Sequence, residues 1–378
     1  GMSILTACSS DDNNDNDGNG GNGNGNEIEN GTILKGTITS DVTLAAGNTY
    51  KLSGEYIVEE GGTLHIEEGV KIIAVYDDIA DYILVKQGGK INAVGTPDKP
   101  IVMTSEKEEP GAWGGIHICG RAHTNAEGGK GSSEIGGAVY GGNDDADNSG
   151  TLQYIRLEYT GFAFDEEHEA NGISFYGVGN GTIVDHCQAY KGSDDGFEFF
   201  GGSVNVSNLV AVSCSDDSFD WTEGWNGKGT NLVAYQEAES TLGYDCDCLM
   251  ECDNNGSNNA ATPVAHPVLK NLILVGNGGS KQGIRLRAGT EVEIDNAKVC
   301  GKGQPLTVET ALTENALKNG TSKLTNITLT SELSSKEGIY THADFIAVTS
   351  NKVDANLSYS SFEDIRKECS WMNGSWVK

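Results

Sequence analysis

Short runs of apolar, β-branched and aromatic residues recur along most of the chain, and each run ends at glycine or at acidic turn residues. Between residues 31 and 73 these runs are three to four residues long, as in Val42-Thr43-Leu44 and Leu64-His65-Ile66. Brief runs bounded by turn residues are typical of β-strands rather than helices. The pattern predicts an all-β protein built from many short strands.

One sequence occurs twice in the middle of the chain. SDDGFEF at residues 193–199 is followed, 22 residues later, by SDDSFDW at residues 215–221. This interval is too long for a hairpin, but it fits one turn of a stacked solenoid. The repeat predicts a single-stranded right-handed parallel β-helix in which residues one coil apart become vertical neighbours. On this hypothesis Asp194 lies under Asp216, and Glu198 lies under Asp220.

The β-rich pattern extends from residue 31 to residue 350, and the segments on either side of it differ. Residues 1–30 form the N-terminus and are rich in Asp, Asn and Gly, so they predict a flexible tether that cannot bury a core. In residues 351–378, Ser360-Ser361-Phe362-Glu363 has the spacing of a capping box ahead of Ile365 and Cys369. We expect a short C-terminal helix that caps the last coil.

Composition narrows the possible partners and the chemistry. The chain has 55 acidic and 25 basic side chains, which gives a net charge of −30 and disfavours nucleic acids and anionic lipid surfaces. The sequence contains no run of about 18 apolar residues, which is the length that a membrane-spanning helix needs. Cys246, Cys248 and Cys252 lack the paired spacing of a zinc site, so buried thiols or one disulfide bridge are expected. We expect no organic cofactor.

The first residues suggest a location. Leu5-Thr6-Ala7-Cys8 resembles a bacterial lipobox, and Ser9-Ser10-Asp11-Asp12 resembles the acidic export signal of surface lipoproteins in some Gram-negative bacteria. The positively charged and long apolar segments that normally precede a lipobox are missing from this sequence. The motif predicts lipid attachment at Cys8 and a place on the outer membrane or cell surface, and the alternative is a chance match.

Three motifs together resemble a family of right-handed β-helix surface lipoproteins that are related in fold to pectate lyases. They are Trp113-Gly114-Gly115, the loop from Tyr140-Gly141-Gly142-Asn143-Asp144 to Asn148-Ser149-Gly150, and the duplicated segment. The resemblance covers roughly residues 50 to 330. The resemblance implies a β-helix at the cell surface, and it implies no particular activity.

Extending the repeat places one polar column on the outer face of the predicted coils, because neighbouring residues of a strand point to opposite sides. The column consists of Ser174, Glu198, Asp220, Glu251 and Arg285. Carboxylates about 4.8 Å apart repel by roughly 3 kcal/mol at an effective dielectric constant of 20, so the column needs a cation or raised pKa values.

One hypothesis assigns acid, base or nucleophile roles in polysaccharide cleavage to Glu198, Asp220 and Glu251, with Arg285 holding an acidic sugar. The alternative is that such ladders only satisfy turns and remain hydrated. Resemblance to polygalacturonases would require an Arg-x-Lys motif and a His-Gly motif. This chain has Arg285-x-Arg287 and no His-Gly in the next coil.

Two segments are candidate calcium sites. Asp145, Asp147 and Ser149 have the D-x-D-x-S-G spacing of a calcium loop, although Arg156 stands where a bidentate Glu would be expected. The alternative there is an Asx turn. The second candidate consists of the paired acids of the repeat: Asp194, Asp195, Asp216 and Asp217.

Three further residues are candidates for ligand binding. Trp221 and Trp225 would stack on sugar rings beside the column, and Arg287 would contact the ligand. The alternative is that one of the two tryptophans is buried and the other lies on the surface. The favoured hypothesis is a lipid-anchored β-helix that binds a polysaccharide or cell-surface glycan, with calcium as its ion. A polysaccharide lyase or glycoside hydrolase, and a structural or adhesive surface protein, are the alternatives.

Overall fold

The structure, a computed structural model, describes residues 26–378. Cys8 and most of the predicted tether lie outside these residues. One sheet contains 25 strands, and its neighbouring strands run parallel. The chain forms a parallel β-helix, as the repeat predicts.

The first strands build the N-terminal coils and an insertion, residues 120–142, that follows β10. They are β1 (Asn26–Ile28), β2 (Ile33–Ile38), β3 (Asp41–Leu44), β4 (Thr49–Val58), β5 (Thr63–Ile66), β6 (Lys71–Ala74), β7 (Tyr82–Val85), β8 (Lys90–Val94), β9 (Ile101–Ser105), β10 (Ile116–Cys119), β11 (Gly131–Ser132) and β12 (Val139–Tyr140). A short 3-10 helix, Glu127–Gly129, precedes β11.

The remaining strands repeat more regularly. They are β13 (Gly150–Glu158), β14 (Ile173–Tyr176), β15 (Ile183–Tyr190), β16 (Phe197–Phe200), β17 (Asn205–Val212), β18 (Phe219–Thr222), β19 (Lys228–Tyr235), β20 (Met250–Asp253), β21 (Val268–Val275), β22 (Gln282–Arg287), β23 (Glu293–Cys300), β24 (Gln304–Val308), β25 (Lys323–Leu329), β26 (Ser334–Ser335) and β27 (Lys352–Val353). The helices are α1 (Glu239–Leu242), α2 (Ala311–Lys318), α3 (His342–Ala347), α4 (Phe362–Glu368) and a 3-10 helix, Ser370–Met372.

Two continuous stacks of strands form the body of the β-helix. Stack A consists of β7, β10, β14, β16, β18, β20, β22, β24 and β26, each paired in parallel with the next. Stack B consists of β13, β15, β17, β19, β21, β23, β25 and β27. From β10 onward each coil contributes one strand to each stack, so a residue in one coil lies above its register partner in the coil before.

Aromatic side chains stack along the interior in the same register. The rings of Phe197 and Phe219 are 5.6 Å apart between centroids and nearly parallel. Phe199 stacks on Phe175 at 4.9 Å and on Trp225 at 4.0 Å. Large apolar area is buried between successive coils, which is the main stabilising contribution of a repeat architecture.

An asparagine ladder marks the bend in five strands of stack B, from β17 to β25. Asn208, Asn231, Asn271, Asn296 and Asn326 all have left-handed backbone conformations, with φ between 55° and 63°. Asparagine tolerates this conformation better than most residues. Successive side-chain amides are hydrogen-bonded at 2.9 to 3.1 Å from Asn208 to Asn296. The ladder holds the coils in register.

The C-terminal segment differs from its predicted position. Helix α4 is present, and Ser361 caps it by accepting a hydrogen bond from the Asp364 backbone N–H at 3.3 Å. Only its first strand, β27, pairs with the last coil, through β25. The rest of the segment does not cover that coil. It turns back along the outside of stack B, where Ile365 and Trp376 are fully buried.

This segment reaches the early coils, because the Trp376 backbone N–H donates to the Pro97 carbonyl at 3.2 Å. The last coil is instead covered by α2 and α3, whose Leu317 and Phe345 join the main core. The capping-box spacing predicted α4 because it is a local signal. The contact between Trp376 and Pro97 could not be predicted, since residues so far apart in sequence leave no local pattern.

The eight cysteines in residues 26–378 are all buried and carry free thiols. Burial rather than a bridge therefore accounts for all eight. Cys119, Cys187, Cys252 and Cys300 lie in strands, and Cys214, Cys246, Cys248 and Cys369 lie in the segments between them or after them. In the same residues, none of the helices has both the length and the apolar character needed to cross a bilayer.

Candidate functional site

The predicted outer column of stack A is confirmed. Ser174 pairs in register with Glu198, Glu198 with Asp220, Asp220 with Glu251, and Glu251 with Arg285. The apolar neighbours Phe197 and Phe219 point inward and are buried. Strand alternation places the carboxylates on one outer face, one coil apart.

The turns that lead into β16, β18 and β20 add further acids to this face. We call the whole set the acidic wall: Asp194, Asp195, Glu198, Asp216, Asp217, Asp220, Asp247 and Glu251. Within it, carboxylate oxygens of Asp194, Asp195 and Asp216 lie within 4.8 Å of one another. The same limit holds for Asp195, Asp217 and Asp220. The repeat therefore gathers acids from three successive coils.

Part of the acidic wall also supports the turns. An Asp195 side-chain oxygen accepts a hydrogen bond from the Asp217 backbone N–H at 2.9 Å. Asp217 does the same for the Cys248 N–H in the next coil, also at 2.9 Å. Each carboxylate has a second oxygen, which is available to the cluster.

Burial dominates the electrostatics of the acidic wall. It raises the pKa of Asp194 to about 10, and the nearby Glu198 charge contributes. Burial, together with the Glu134 charge, raises the pKa of Glu198 to about 8. The pKa values of Asp195, Asp217 and Asp220 lie well above their usual range for the same first reason. At neutral pH the wall therefore holds protons unless a cation replaces them.

Asn171 belongs to the same site and was not predicted. Its fully buried side chain donates to Ser174 Oγ at 2.9 Å and to Glu198 Oε1 at 3.3 Å, and its Oδ1 has no hydrogen-bond partner. The sequence carried a signal for it. Asn171-Gly172-Ile173-Ser174 is one more coil of the pattern that continues as Asp195-Gly196-Phe197-Glu198.

The predicted arginines bind acids rather than facing open solvent. Arg287 forms ion pairs with Glu251 and with Asp253, the latter at 2.7 Å. Arg285 pairs with Glu309 at 3.2 Å, which directs it away from Glu251. Burial lowers the Arg287 pKa, but the hydrogen bond to Asp253 and the neighbouring carboxylate charges together outweigh it, so the net shift of the pKa is upward. The two cations close the C-terminal end of the acidic wall.

The prediction that Trp221 and Trp225 form a sugar-stacking edge is wrong. Both side chains are about 1% exposed and point into the β-helix. Trp221 donates to Thr290 Oγ1 at 3.1 Å, and Trp225 donates to the Val204 carbonyl at 3.0 Å. Trp221 follows the outward Asp220 by one position, so alternation already required an inward side chain.

The acids of the predicted calcium loop bind neighbouring backbone and histidine groups. Asp145 Oδ1 accepts from the His123 backbone N–H at 3.0 Å and lies 2.8 Å from His123 Nδ1. Asp147 Oδ2 accepts from the Arg121 N–H at 2.7 Å. Ser149 is buried, and its N–H donates to Thr182 Oγ1 at 2.8 Å. The contacts of Asp145 and Asp147 tie the loop to the insertion before it, whereas Ser149 is bound to Thr182 ahead of β15.

That insertion covers part of the outer face of stack A. Ile135, Ala138 and Tyr140 pack on Tyr176 and Phe200, which point outward from β14 and β16. The Tyr140 hydroxyl donates to Glu223 Oε1 at 2.9 Å. The apolar cover and the acidic wall therefore lie side by side on one face.

A family model described as a pectate-lyase-like β-helix domain matches residues 36–377. The chain belongs to this family. Searches of curated proteins and of solved structures find no significant match. Membership of the pectate-lyase-like β-helix family agrees with the parallel coils of stacks A and B, and it supports a carbohydrate-related role without assigning a reaction or a ligand.

Proposed function

We propose that this pectate-lyase-like β-helix binds a polysaccharide or cell-surface glycan at the acidic wall, and that the wall holds a calcium ion. The observation that carries the proposal is the convergence of Asp194, Asp195 and Asp216 oxygens within 4.8 Å. The buried Asn171 Oδ1, which has no hydrogen-bond partner, adds an uncharged oxygen ligand on the Glu198 side of the same wall.

The oxygen atoms of these side chains are ligands that suit a hard cation. Calcium takes oxygen ligands at roughly 2.3 to 2.6 Å, so oxygens on one ion lie at most about twice that distance apart. The mutual limit of 4.8 Å among Asp194, Asp195 and Asp216 meets this condition. A bound cation would offset the repulsion among buried carboxylates and let them ionise at neutral pH.

Thermal melting with and without calcium tests the ion. A ligand that binds only the folded state raises the melting temperature with its concentration. We expect millimolar calcium to raise it in the parent chain and to have little effect in the double variant Asp194→Asn/Asp216→Asn. The matched control is Asp145→Asn/Asp147→Asn, which should keep the response. If calcium does not change the melting temperature of the parent chain, the proposed ion site is wrong. If only the control variant loses the response to calcium, the ion binds at the 145–149 loop instead.

Glycan-array binding in calcium and in a chelator tests the ligand. Binding that requires calcium and is lost in the Asp194→Asn/Asp216→Asn variant is the expected result. An array that shows no ligand in either condition would overturn the glycan proposal and leave a structural or adhesive role.

One observation favours cleavage as a second candidate function. Glu198, with a pKa of about 8, is protonated at neutral pH, as a general acid must be, and Asp220 lies directly beside it in the next coil. Polysaccharide digests should then show new reducing or unsaturated ends that disappear in Asp220→Asn. A digest without such ends, in a chain that binds the glycan, leaves binding alone.

The N-terminal motif extends the proposal to location. Acylation at Cys8, followed by the polar stretch up to residue 30, would place the β-helix on a cell surface. Labelling with a radioactive fatty acid, in cells that express the chain behind a lipoprotein signal sequence, should label the parent and not Cys8→Ala. Equal labelling of both chains would contradict it.

A further inference from the structure

A groove runs along stack B, on a different stack of strands from the acidic wall. Its volume is about 370 Å³, which is within the range of roughly 300 to 1,000 Å³ typical of small-molecule sites. Its floor contains Asn231, Asn271 and Asn296 of the asparagine ladder, and its wall contains Trp371 from the C-terminal segment. We call it the ladder groove.

The ladder leaves hydrogen-bonding capacity in this groove. Asn271 uses one N–H on Asn231 Oδ1 at 3.1 Å, and its own Oδ1 accepts from Asn296 at 2.9 Å. A side-chain amide has two N–H donors and two acceptor lone pairs. A donor and a lone pair of Asn271 therefore remain outside the ladder, and the same pattern repeats at Asn231 one coil away.

Trp371 provides the aromatic surface that Trp221 and Trp225 do not. Four of the five tryptophans are fully buried: Trp113, Trp221, Trp225 and Trp376. Trp371 is half-buried, with its ring centroid 6.3 Å from that of Trp376, and it lines the groove. An aromatic ring fixed on one side is an apolar platform for a ligand.

The groove carries no uncompensated charge. Its charged lining residues are Lys298 and Glu368, whose Nζ and Oε2 atoms lie 3.3 Å apart. A charged ligand would have to break this pair, whereas an uncharged one leaves it intact. Peptide addition to a sheet edge is excluded here, since β19, β21 and β23 are each paired on both sides.

We infer that the ladder groove binds an uncharged oligosaccharide, whose ring stacks on Trp371 and whose hydroxyl groups bond to the amides of Asn231, Asn271 and Asn296. A sugar hydroxyl both donates and accepts, which matches the unused donor and lone pair of each amide. Coils repeat about every 4.8 Å, so successive sugar units meet the same amide pattern. The inference does not depend on the acidic wall and stands if the wall binds nothing.

Tryptophan fluorescence provides the test, because Trp371 is the one tryptophan in contact with the groove. The probes are cellohexaose, laminarihexaose, mannohexaose and xylohexaose, each titrated to millimolar concentration. We expect a saturable change in emission with at least one of them, unaffected by a chelator and by Asp194→Asn/Asp216→Asn. No saturable response to any of the four overturns the inference.

Matched glycine variants test the amides without straining the backbone, since glycine tolerates positive φ. Asn271→Gly removes an amide from the groove floor, and Asn326→Gly removes a ladder amide outside the lining residues. Asn271→Gly should weaken binding by about tenfold, as expected for a lost hydrogen-bonded pair, whereas Asn326→Gly should not. Calorimetry with Trp371→Ala should show binding lost. Parent-like affinity in both Asn271→Gly and Trp371→Ala would contradict the site.

Discussion

At the residue scale, the buried acids of stack A retain protons where exposed carboxyl groups have lost them. The pKa of an ordinary carboxyl group is about 4, whereas that of Glu198 is raised to about 8 and that of Asp194 to about 10. The folded state then binds more protons than the unfolded chain between these values. Stability must fall as pH rises through this window when no cation is present.

This dependence gives a prediction for Glu198. In a chelator, the melting temperature of the parent should fall between pH 5 and pH 8, because folding keeps a proton that the unfolded chain releases. Glu198→Gln cannot titrate, so its melting temperature should fall less steeply over the same window. Glu332, which is exposed, provides the control variant Glu332→Gln. Equal slopes in the parent and Glu198→Gln would contradict the prediction.

A second residue-scale prediction concerns His266, which lies between two acids. Its Nδ1 is 3.0 Å from Glu291 and its Nε2 is 2.8 Å from Glu293. Burial lowers its pKa, but the hydrogen bonds and the charges of the two carboxylates together outweigh burial, and the net shift is upward. A raised histidine pKa contributes stability below about pH 6.5 that is lost as pH rises through the folded value.

Denaturant melts at pH 6 and pH 9 measure this effect. His266→Gln should lose about 1 kcal/mol of unfolding free energy at pH 6, and clearly less at pH 9. His168→Gln removes an exposed histidine that is paired with Asp165, and it should leave the melts unchanged. A His266→Gln cost that is the same at both pH values would count against the charged histidine.

At the element scale, helix α2 closes the end of the β-helix through one buried acid. Glu314 is fully buried and accepts hydrogen bonds from the N–H groups of Glu337, Ile339 and Tyr340 at 2.7 to 3.1 Å. These bonds hold the loop after β26 against α2. The Glu314 carboxylate thus accepts backbone hydrogen bonds at the end of the β-helix, where no further coil follows to accept them.

Glu314→Gln should therefore destabilise the fold. The amide N–H₂ would face a backbone N–H, so one buried donor loses its acceptor at a cost of about 2 kcal/mol. Urea unfolding measures the change, with Glu332→Gln as the exposed control. A change below about 0.5 kcal/mol, the level of ordinary surface substitutions, would show that the end cap does not depend on Glu314.

The elements also show what the sequence could predict. The register of Glu198 on Asp220 followed from the duplicated segment, because a repeat encodes vertical neighbours directly. Asn171 could have been found by extending that repeat one coil further. The partner of Arg285 could not, since Glu309 lies beside it only after β22 and β24 have paired.

At the scale of the whole molecule, the C-terminal segment covers an apolar strip on the outside of stack B. Val210, Val212 and Val275 are buried there beneath Ile365 and Trp376. Trp376 also meets the rings of Tyr154 and His186 edge-on, at 5.9 and 5.3 Å. The segment is therefore a second apolar layer rather than a tail.

Trp376→Ala should loosen this layer. Removing a buried tryptophan costs about 3 kcal/mol or more, and a segment on the outside can open without unfolding the coils. Hydrogen exchange should become faster across residues 354–378 while β16 and β18 stay protected. Uniformly faster exchange throughout the chain would mean that the segment and the coils unfold as one unit.

The return of the chain to Pro97 also has a mechanical consequence. In an ordinary solenoid each coil touches only its neighbours, so a molecule pulled by its two ends can peel away coil by coil. Here the C-terminal segment is fastened at Pro97, so tension reaches the coils after residue 97 only once that fastening breaks, whereas the coils of residues 26–96 are pulled directly. Single-molecule stretching should record one rupture at a higher force than the steps of residues 26–96, followed by a series of smaller steps from the coils after residue 97.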